Sequence, residues 1–443
     1  LNNILQRFKE FPRLIETMNP VQLDGKVSQV VGLVIEATLP GSTLGELCEV
    51  KTREGKLIKA EVVGFNANRA LLLPFSETVG ISPGSLVRSS PQPLTVKAGP
   101  GILGRIIDGL GNPIDGKGPI ESDHKQPVYN NPPNPLNRKR ITDYLSTGIR
   151  AIDGLVTIGK GQRVGIFAGS GVGKSVLLGM ISRYTNATVN VIALIGERGR
   201  EVKEFIERDL GPEGLKRSVV IVATSDQAAM VRVKGALIAT AIAEYFRDQG
   251  LDVMLLMDSL TRVATAQREI GLAVGEPPTT KGYTPSVFAM LPRLLERAGC
   301  NETGSITGLY TVLVEGGDMD EPISDASRAI LDGHIVLSRK LGNMGHYPAI
   351  DVLRSVSRLR NEISTDRQKK ETIKVLSLLA EYQKSEDLIN IGAYVAGSNK
   401  KVDQALKYID DINNFLRQEI DESSDMQQTL GKLYRIVQED GQN

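Results

Sequence analysis

Between Val27 and about Val87 the apolar residues come in short β-branched runs, at Val30–Glu36, Leu47–Lys51, Ile58–Gly64 and Ala70–Leu73. Turn formers stand between them at Pro40-Gly41, Glu54-Gly55, Asn66–Asn68 and Pro83-Gly84. Closely spaced strands joined by tight turns predict a small β-barrel or sandwich. Ahead of it, Leu1, Ile4, Leu5, Phe8, Phe11, Leu14, Ile15 and Met18 fall at helical spacing, interrupted by Pro12. That pattern suits a helix packed on the body or one that docks a partner. After a Pro/Gly/Asn-rich connector (Gly99-Pro100-Gly101, Gly109–Gly118, Asn130–Asn137) the texture changes again. Apolar runs at Arg163–Phe167, Val189–Ile195, Ser218–Thr224 and Val253–Met257 alternate with helical stretches, one of them capped by Ser225 or Asp226 and running to Arg247. Buried strands alternating with helices predict a mostly parallel sheet covered on both faces. Beyond Asn361 helical spacing takes over, as at Ile373/Leu376/Leu379/Tyr382 and Leu406/Ile409/Ile412/Phe415/Leu416. The expected organisation is a docking segment at 1–24, a β-barrel at 25–92, a nucleotide-binding domain at 93–363 and a helical domain at 364–443.

Composition narrows the class without changing this layout. The 443 residues are 41% hydrophobic and 24% charged, the balance of a globular protein large enough for two or three domains. No apolar run approaches the roughly 18 residues of a membrane span, and the first residues lack a signal-peptide core. The chain opens at Leu1 without an initiator Met, so the numbering fits a start inside the natural chain or after trimming. Two cysteines, Cys48 and Cys300, and three histidines argue for a reducing cytoplasm and against a structural zinc site. A net charge of +1 with no long basic block argues against capture of nucleic acid.

The chemistry is concentrated in Ala168-Gly169-Ser170-Gly171-Val172-Gly173-Lys174-Ser175, which follows an apolar strand and opens the predicted helix Lys174–Tyr184. Glycines let successive backbone N–H groups curl around a phosphate, and the helix N-terminus adds partial positive charge. Lys174 is placed to reach the β- and γ-phosphates and Ser175 to coordinate magnesium, with Val176 flanking the loop. Ala168 stands where the strict motif has glycine. As a loop lysine expected to be exposed, Lys174 is expected to add little to stability. Asp258 ends the apolar strand Val253–Met257, at the sheet edge where ligands gather, and is a candidate for holding magnesium through water. Gly196-Glu197-Arg198-Gly199-Arg200-Glu201 follows another strand at that edge. There Glu197 and Glu201 compete to position the attacking water, and an arginine can steady phosphate charge.

The order of the glycine loop, Gly196–Glu201, Asp258-Ser259-Leu260-Thr261-Arg262 and Pro348–Arg358 (PAIDVLRSVSR) resembles the rotary ATPase catalytic-subunit superfamily. Gly275–Gly299 (GEPPTTKGYTPSVFAMLPRLLERAG) and Ile330–Lys340 (ILDGHIVLSRK) are similar to the ATPases of bacterial type III protein export, flagellar or injectisome, over nearly the whole chain. The resemblance implies an α/β fold with an N-terminal β-barrel, a central RecA-like P-loop ATPase domain and C-terminal helices. It implies Glu197 as the carboxylate that activates water, Glu201 as an outer-shell partner of magnesium, and Arg198 and Arg262 as arginines lining the phosphate site. It further implies Tyr347 as the ring stacked on adenine and Arg358 as an arginine finger given to the neighbouring subunit. The expected cofactors are ATP and Mg2+. The expected assembly is a homohexamer. Its expected partners are a stalk-type regulatory protein at the N-terminus, chaperone–substrate complexes and the export gate at the cytoplasmic face of the membrane. A rotary synthase subunit fits Gly275–Gly299 less well. An RNA-translocating helicase would need exposed aromatics, where the barrel offers chiefly Phe65 and Phe75 and the chain has no Trp. A non-catalytic scaffold has no need of Lys174, Glu197 and Arg358 together. The Gly169–Ser175 loop and Asn390–Tyr394 look more flagellar, while Glu244–Gly250 and Asp351–Ser357 fit either service.

Overall fold

The computed structural model describes residues 24–90, 92–314 and 317–438. The chain divides between Leu94 and Thr95 into two compact units. The docking segment expected at 1–24 lies, up to residue 23, outside the described residues.

Six strands build the first unit: β1 (Asp24–Val31), β2 (Val34–Thr38), β3 (Leu47–Lys51), β4 (Leu57–Asn66), β5 (Arg69–Pro74) and β6 (Leu86–Ser90). They close in the order β1-β2-β5-β4-β3-β6, which leaves no free edge. The choice between barrel and sandwich thus falls to the barrel. Val27, Ile35, Val50, Ala60, Val62, Leu72 and Val87 fill the interior. The run Val30–Glu36, expected as one strand, is the end of β1, a turn and β2. Gly32 takes φ +58° there, and the two apolar halves face each other across a hairpin.

The second unit is organised by a large sheet. Its main strands are β7 (Ile106–Asp108), β8 (Arg163–Ala168), β9 (Val189–Ile195), β10 (Ser218–Ala223), β11 (Asp252–Asp258), β12 (Ser305–Leu313), β13 (Gly333–Leu337) and β14 (Ile350–Ser357). They run in the order β14-β13-β8-β12-β11-β9-β10-β7. All pair in parallel except β14, which lies antiparallel on β13 at one edge. β7 falls inside the expected connector: three residues among glycines carry no strand signal, and parallel pairing with β10 alone makes them a strand. The helices that matter below are α1 (Arg150–Leu155), α2 (Lys174–Tyr184), α3 (Gly199–Glu204), α4 (Ala229–Asp248), α5 (Leu260–Ala273), α6 (Pro285–Leu295) and α7 (Pro322–Ile330). Helices α8 (Asp366–Asn390), α9 (Lys400–Leu416) and α10 (Met426–Gln438) follow the sheet. Neither Ser225 nor Asp226 caps α4; Ala228 occupies that position without a side-chain bond, because the chain makes one more turn first. Residues of the sheet, of α1 and of α8–α10 share one hydrophobic cluster, in which Ile152, Ile166, Ile181, Val375, Tyr408 and Ile412 are fully or almost fully buried.

One ion pair sits wholly inside this unit. Arg297, after α6, donates from Nε and Nη2 to the two oxygens of Glu244 on α4 at 2.8 and 2.7 Å. Its Nη1 donates to the Val128 carbonyl at 2.9 Å, tying the connector to the sheet's helical cover. Glu244 is 0% and Arg297 2% exposed, so removal of either partner strands a charge out of water. We expect Arg297→Ala to cost about 3–5 kcal/mol in denaturant unfolding. Arg297→Met combined with Glu244→Leu should recover most of that loss, and a loss equal to that of Arg297→Ala in the double variant would show that packing, rather than charge, is at stake.

Candidate functional site

β8, β11 and β9 end at one level of the sheet because their parallel registers align them: Leu194 is paired with Asp258, and β8 and β11 flank β12 on either side. The loops that leave these ends therefore converge. After β8 the chain turns through Gly171 (φ +76°) and Gly173 (φ +87°), conformations that residues with a Cβ rarely adopt, and enters α2 at Lys174. Val172 is buried beneath the loop, while Ser170, Gly171 and Ser175 face solvent.

Lys174 does not project freely, contrary to its expectation as an exposed loop lysine. Its Nζ is hydrogen-bonded to Oδ1 of Asp258 and lies 3.4 Å from Oε1 of Glu197. Desolvation works against its charge, but the two carboxylates prevail and its pKa is raised. Asp258 is buried, and Thr311 Oγ1 donates to the same Oδ1 at 2.7 Å. Glu197 has its pKa pushed up to about 7, first by burial and then by the charge of Asp258, with Lys174 opposing both. A hydrogen bond with the Glu201 side chain adds to the rise, so Glu201, on the first turn of α3, lies directly beside Glu197. Gly196 (φ +73°) allows this crowding, since a Cβ there would sit 2.7 Å from Cβ of Arg262. Arg262 is thereby packed over the backbone that presents Glu197. Arg198 is largely exposed and approaches Glu201, at 3.9 Å.

Tyr347 comes to the same place from the loop between β13 and β14, β13 being the strand beside β8. Its ring stands over Gly173, whose Cβ would be 3.4 Å from Cε1, and it is 48% exposed. The loop after α9 holds its backbone, with Gln418 N–H donating to the Tyr347 carbonyl at 3.0 Å. Gln418 is buried and is itself held by the Arg150 N–H (2.9 Å) and the Gly148 carbonyl (2.7 Å). Arg150 also donates to the Phe415 carbonyl at 2.9 Å and pairs with Glu422.

Arg358 is the one candidate placed elsewhere. β14 is antiparallel, so Ser357 lies opposite Gly333, which pairs with Val164 near the start of β8. The glycine loop leaves β8 after Ala168, about 13 Å further along the strand direction at ~3.3 Å per residue. The Arg358 side chain, exposed and bonded weakly to the Arg328 carbonyl (3.4 Å), cannot span that distance to its own chain's loop.

Two further residues belong to the site without standing among the candidates drawn from the sequence. Thr311 is a hydroxyl near the carboxyl end of an apolar strand, the same signal that marks Asp258. Arg339 follows the helix cap Ser338, and its Nη2 donates to the Ser170 carbonyl at 3.3 Å. In the sequence it is one position of the longer pattern Ile330–Lys340, with nothing local to distinguish it.

The chain matches the ATP synthase alpha/beta family nucleotide-binding domain over residues 148–357 and the beta-barrel domain of that family over 27–90. Residues 364–435 match the T3SS EscN ATPase C-terminal domain. The flagellum-specific ATP synthase of Bacillus subtilis is 56% identical over 425 residues, 96% of this chain and 97% of that protein. The type 3 secretion system ATPase of Xanthomonas euvesicatoria is 51% identical over 414 residues, 93% of this chain and 94% of that protein. The assembled ATPase EscN of enteropathogenic E. coli, solved with its central stalk EscO, superposes with a TM-score of 0.87 at 43% identity. That match covers 93% of this chain and all of that one.

The cluster around Lys174 predicts a pH-dependent stability effect. Lys174→Ala leaves Asp258 and Glu197 facing each other without a cation. Because the folded-state pKa of Glu197 lies above its unfolded value, the penalty is largest above pH 7. It shrinks as Glu197 takes up a proton toward pH 5. Thermal unfolding of nucleotide-free protein should show a larger drop for Lys174→Ala at pH 8 than at pH 5; equal drops would remove the compensating role of the ammonium.

Proposed function

As a member of the ATP synthase alpha/beta family, in the branch of flagellum-specific ATP synthases and type 3 secretion system ATPases, this chain is an ATPase, and we propose that it drives type III protein export from a homohexameric ring with ATP bound between subunits. The observation that carries this reading is the position of Arg358. A guanidinium at the opposite end of the sheet from its own glycine loop is useless in a lone chain and available to a neighbour.

In the bound state the backbone N–H groups of Ala168–Ser175 and the Lys174 ammonium hold the β- and γ-phosphates, with Val176 following in the first turn of α2. Lys174 then exchanges its two carboxylates for phosphate oxygens, which frees Asp258 and Glu197 for other work. Tyr347 covers the adenine. The Ser175 hydroxyl and Asp258, with Glu201 further out, form an all-oxygen donor set that fits magnesium completed by nucleotide phosphates and water. The ion supplies charge neutralisation on the phosphates when bound. Glu197 orients the water that attacks in line and accepts its proton. A proton affinity poised near neutral suits a general base. Arg262 and Arg198 border the phosphates, and Arg358 of the neighbour meets the charge that grows in the transition state. Two carboxylates already gathered round one cation need little rearrangement when the phosphates arrive.

Export service follows from the branch. Stalk-type regulatory proteins, chaperone–substrate complexes and the membrane export gate are the proposed partners, met at the inner membrane face. No helix among the described residues is long and apolar enough to cross a membrane. Flagellar service is the reading favoured by Gly169–Ser175 and Asn390–Tyr394. A deletion strain separates it from injectisome service by loss of motility against loss of effector secretion.

Glu197→Gln keeps the shape of the side chain and removes the basic oxygen. ATP should still bind, measured with a fluorescent analogue, while phosphate release falls by about 10²-fold. Near-normal turnover beside an inactive Glu201→Gln would exchange the two roles. Arg358→Ala should bind MgATP almost normally and lose ~10³–10⁵ in rate, the range for an arginine finger. Mixed with Lys174→Ala it should regain part of the activity, because some interfaces then combine an intact loop with an intact finger. Full activity of Arg358→Ala alone would defeat the shared site.

A further inference from the structure

The backbone around Arg358 is held by a side chain that no motif includes. Gln162 lies in the turn ahead of β8 and is 0% exposed. Its Nε2 donates to the Asp332 carbonyl at 3.0 Å and to Ser357 Oγ at 3.1 Å. Its Oε1 accepts from the Gly159 N–H at 2.8 Å. A buried amide with its donors and acceptor engaged is a rigid clamp, since any shift would leave polar groups unpaired out of water.

Both groups that Gln162 grips adjoin Arg358. Ser357 precedes it, and the Asp332 carbonyl also accepts the Arg358 N–H at 3.0 Å. Asp332 is anchored in turn. Its N–H donates to the Arg163 carbonyl at 2.8 Å. Its carboxylate receives the Arg163 N–H, Nε and Nη2 at 3.1, 2.9 and 3.0 Å. There is no slack for a larger backbone at this point either. A Cβ on Gly333 would lie 2.5 Å from the Val356 carbonyl and 3.3 Å from Gln162 Nε2. The end of β14 is thus locked to the root of β8, the strand that carries the glycine loop at its other end.

We propose that Gln162 is a positioning residue for Arg358, fixing through Asp332 and Ser357 the place from which the guanidinium enters the neighbouring subunit's site. The proposal rests on the shared-site reading above. It assigns to one strand two duties at its two ends, with its own loop at the carboxyl end and the neighbour's finger steadied at the amino end. A guanidinium must meet transferring phosphoryl oxygens closely, and a displacement of about 1 Å from a remote change can cost on the order of 10²-fold in rate.

The test uses Gln162→Met, similar in length but without hydrogen bonds, and Ser357→Ala as a milder variant of the same clamp, in steady-state hydrolysis by the full chain. Each should lower kcat, Gln162→Met by about 10- to 10²-fold, with KM for MgATP little changed. Mixtures decide where the defect acts. Gln162→Met mixed with Lys174→Ala should regain activity, because the first brings a sound loop and the second a sound finger. Mixed with Arg358→Ala it should not, because both lack a working finger. The reverse pattern would show that Gln162 serves its own glycine loop, and recovery in both mixtures or in neither would assign it to general support; each overturns the proposal, as does an unchanged kcat in both variants. If Gln162→Met does not fold, Ser357→Ala separates the same outcomes in the same mixtures. The control mixture of Lys174→Ala with Arg358→Ala distinguishes the premise: its silence would remove the shared site itself, and the positioning role with it.

Discussion

Parallel pairing sets the level at which each strand of the sheet stops, and the rest of the molecule is arranged around that level. β8, β11 and β9 end together, so a glycine loop, an aspartate and a glutamate that are 84 and 23 residues from Lys174 in the chain meet at its ammonium. Hydrogen bonds between parallel strands are evenly spaced, and the strands here are buried on both faces, so a slip of one residue would displace every packed side chain and is strongly resisted. The site inherits its precision from that resistance.

The cluster on Lys174 is a charged group held out of water by its partners. Burial disfavours the charge of Glu197 and the neighbouring Asp258 repels it, which is why its pKa is pushed up to about 7. The ammonium between them makes the arrangement tolerable. Thr311 supplies a further donor to Asp258, which helps fix the orientation of the aspartate.

A single inverted strand carries the second half of the proposed chemistry. Because β14 runs against β13, its carboxyl end lies at the opposite edge of the sheet from the glycine loop. One chain therefore presents a phosphate site at one edge and an arginine at the other. In the ring we propose, head-to-tail contacts between copies join the two. Gln162, Asp332 and Arg163 make the two ends mechanically continuous through one strand. The arrangement also explains why the Arg358 environment is polar and tightly bonded although its guanidinium faces outward.

Much of this is legible along the chain. The strand boundaries at Val189–Ile195 and Leu47–Lys51 and the helix Lys174–Tyr184 follow from unbroken apolar runs and from a glycine loop that opens a helix. These are local signals, carried by neighbours within a few residues. Asp258 is legible by the same local logic, as an acid where an apolar strand stops. The hairpin at Gly32 and the edge strand Ile106–Asp108 are not, because each depends on a partner strand remote in sequence or on a turn inside an apolar run. The pairing of Lys174 with Asp258 and Glu197, the bond from Thr311 and the clamp by Gln162 have no local signature at all. A lysine, a threonine and a glutamine acquire those roles only from the residues that folding sets against them, up to 195 positions away in the case of Gln162 and Ser357. What the amino-acid order determined by itself was which segments form strands, helices and a phosphate-binding loop, since these depend on near neighbours. Strand order and the reversed direction of β14, and with them which charges share one site and which arginine is denied to its own loop, were decided by tertiary pairing alone, because hydrogen-bond register acts between segments that the sequence leaves far apart.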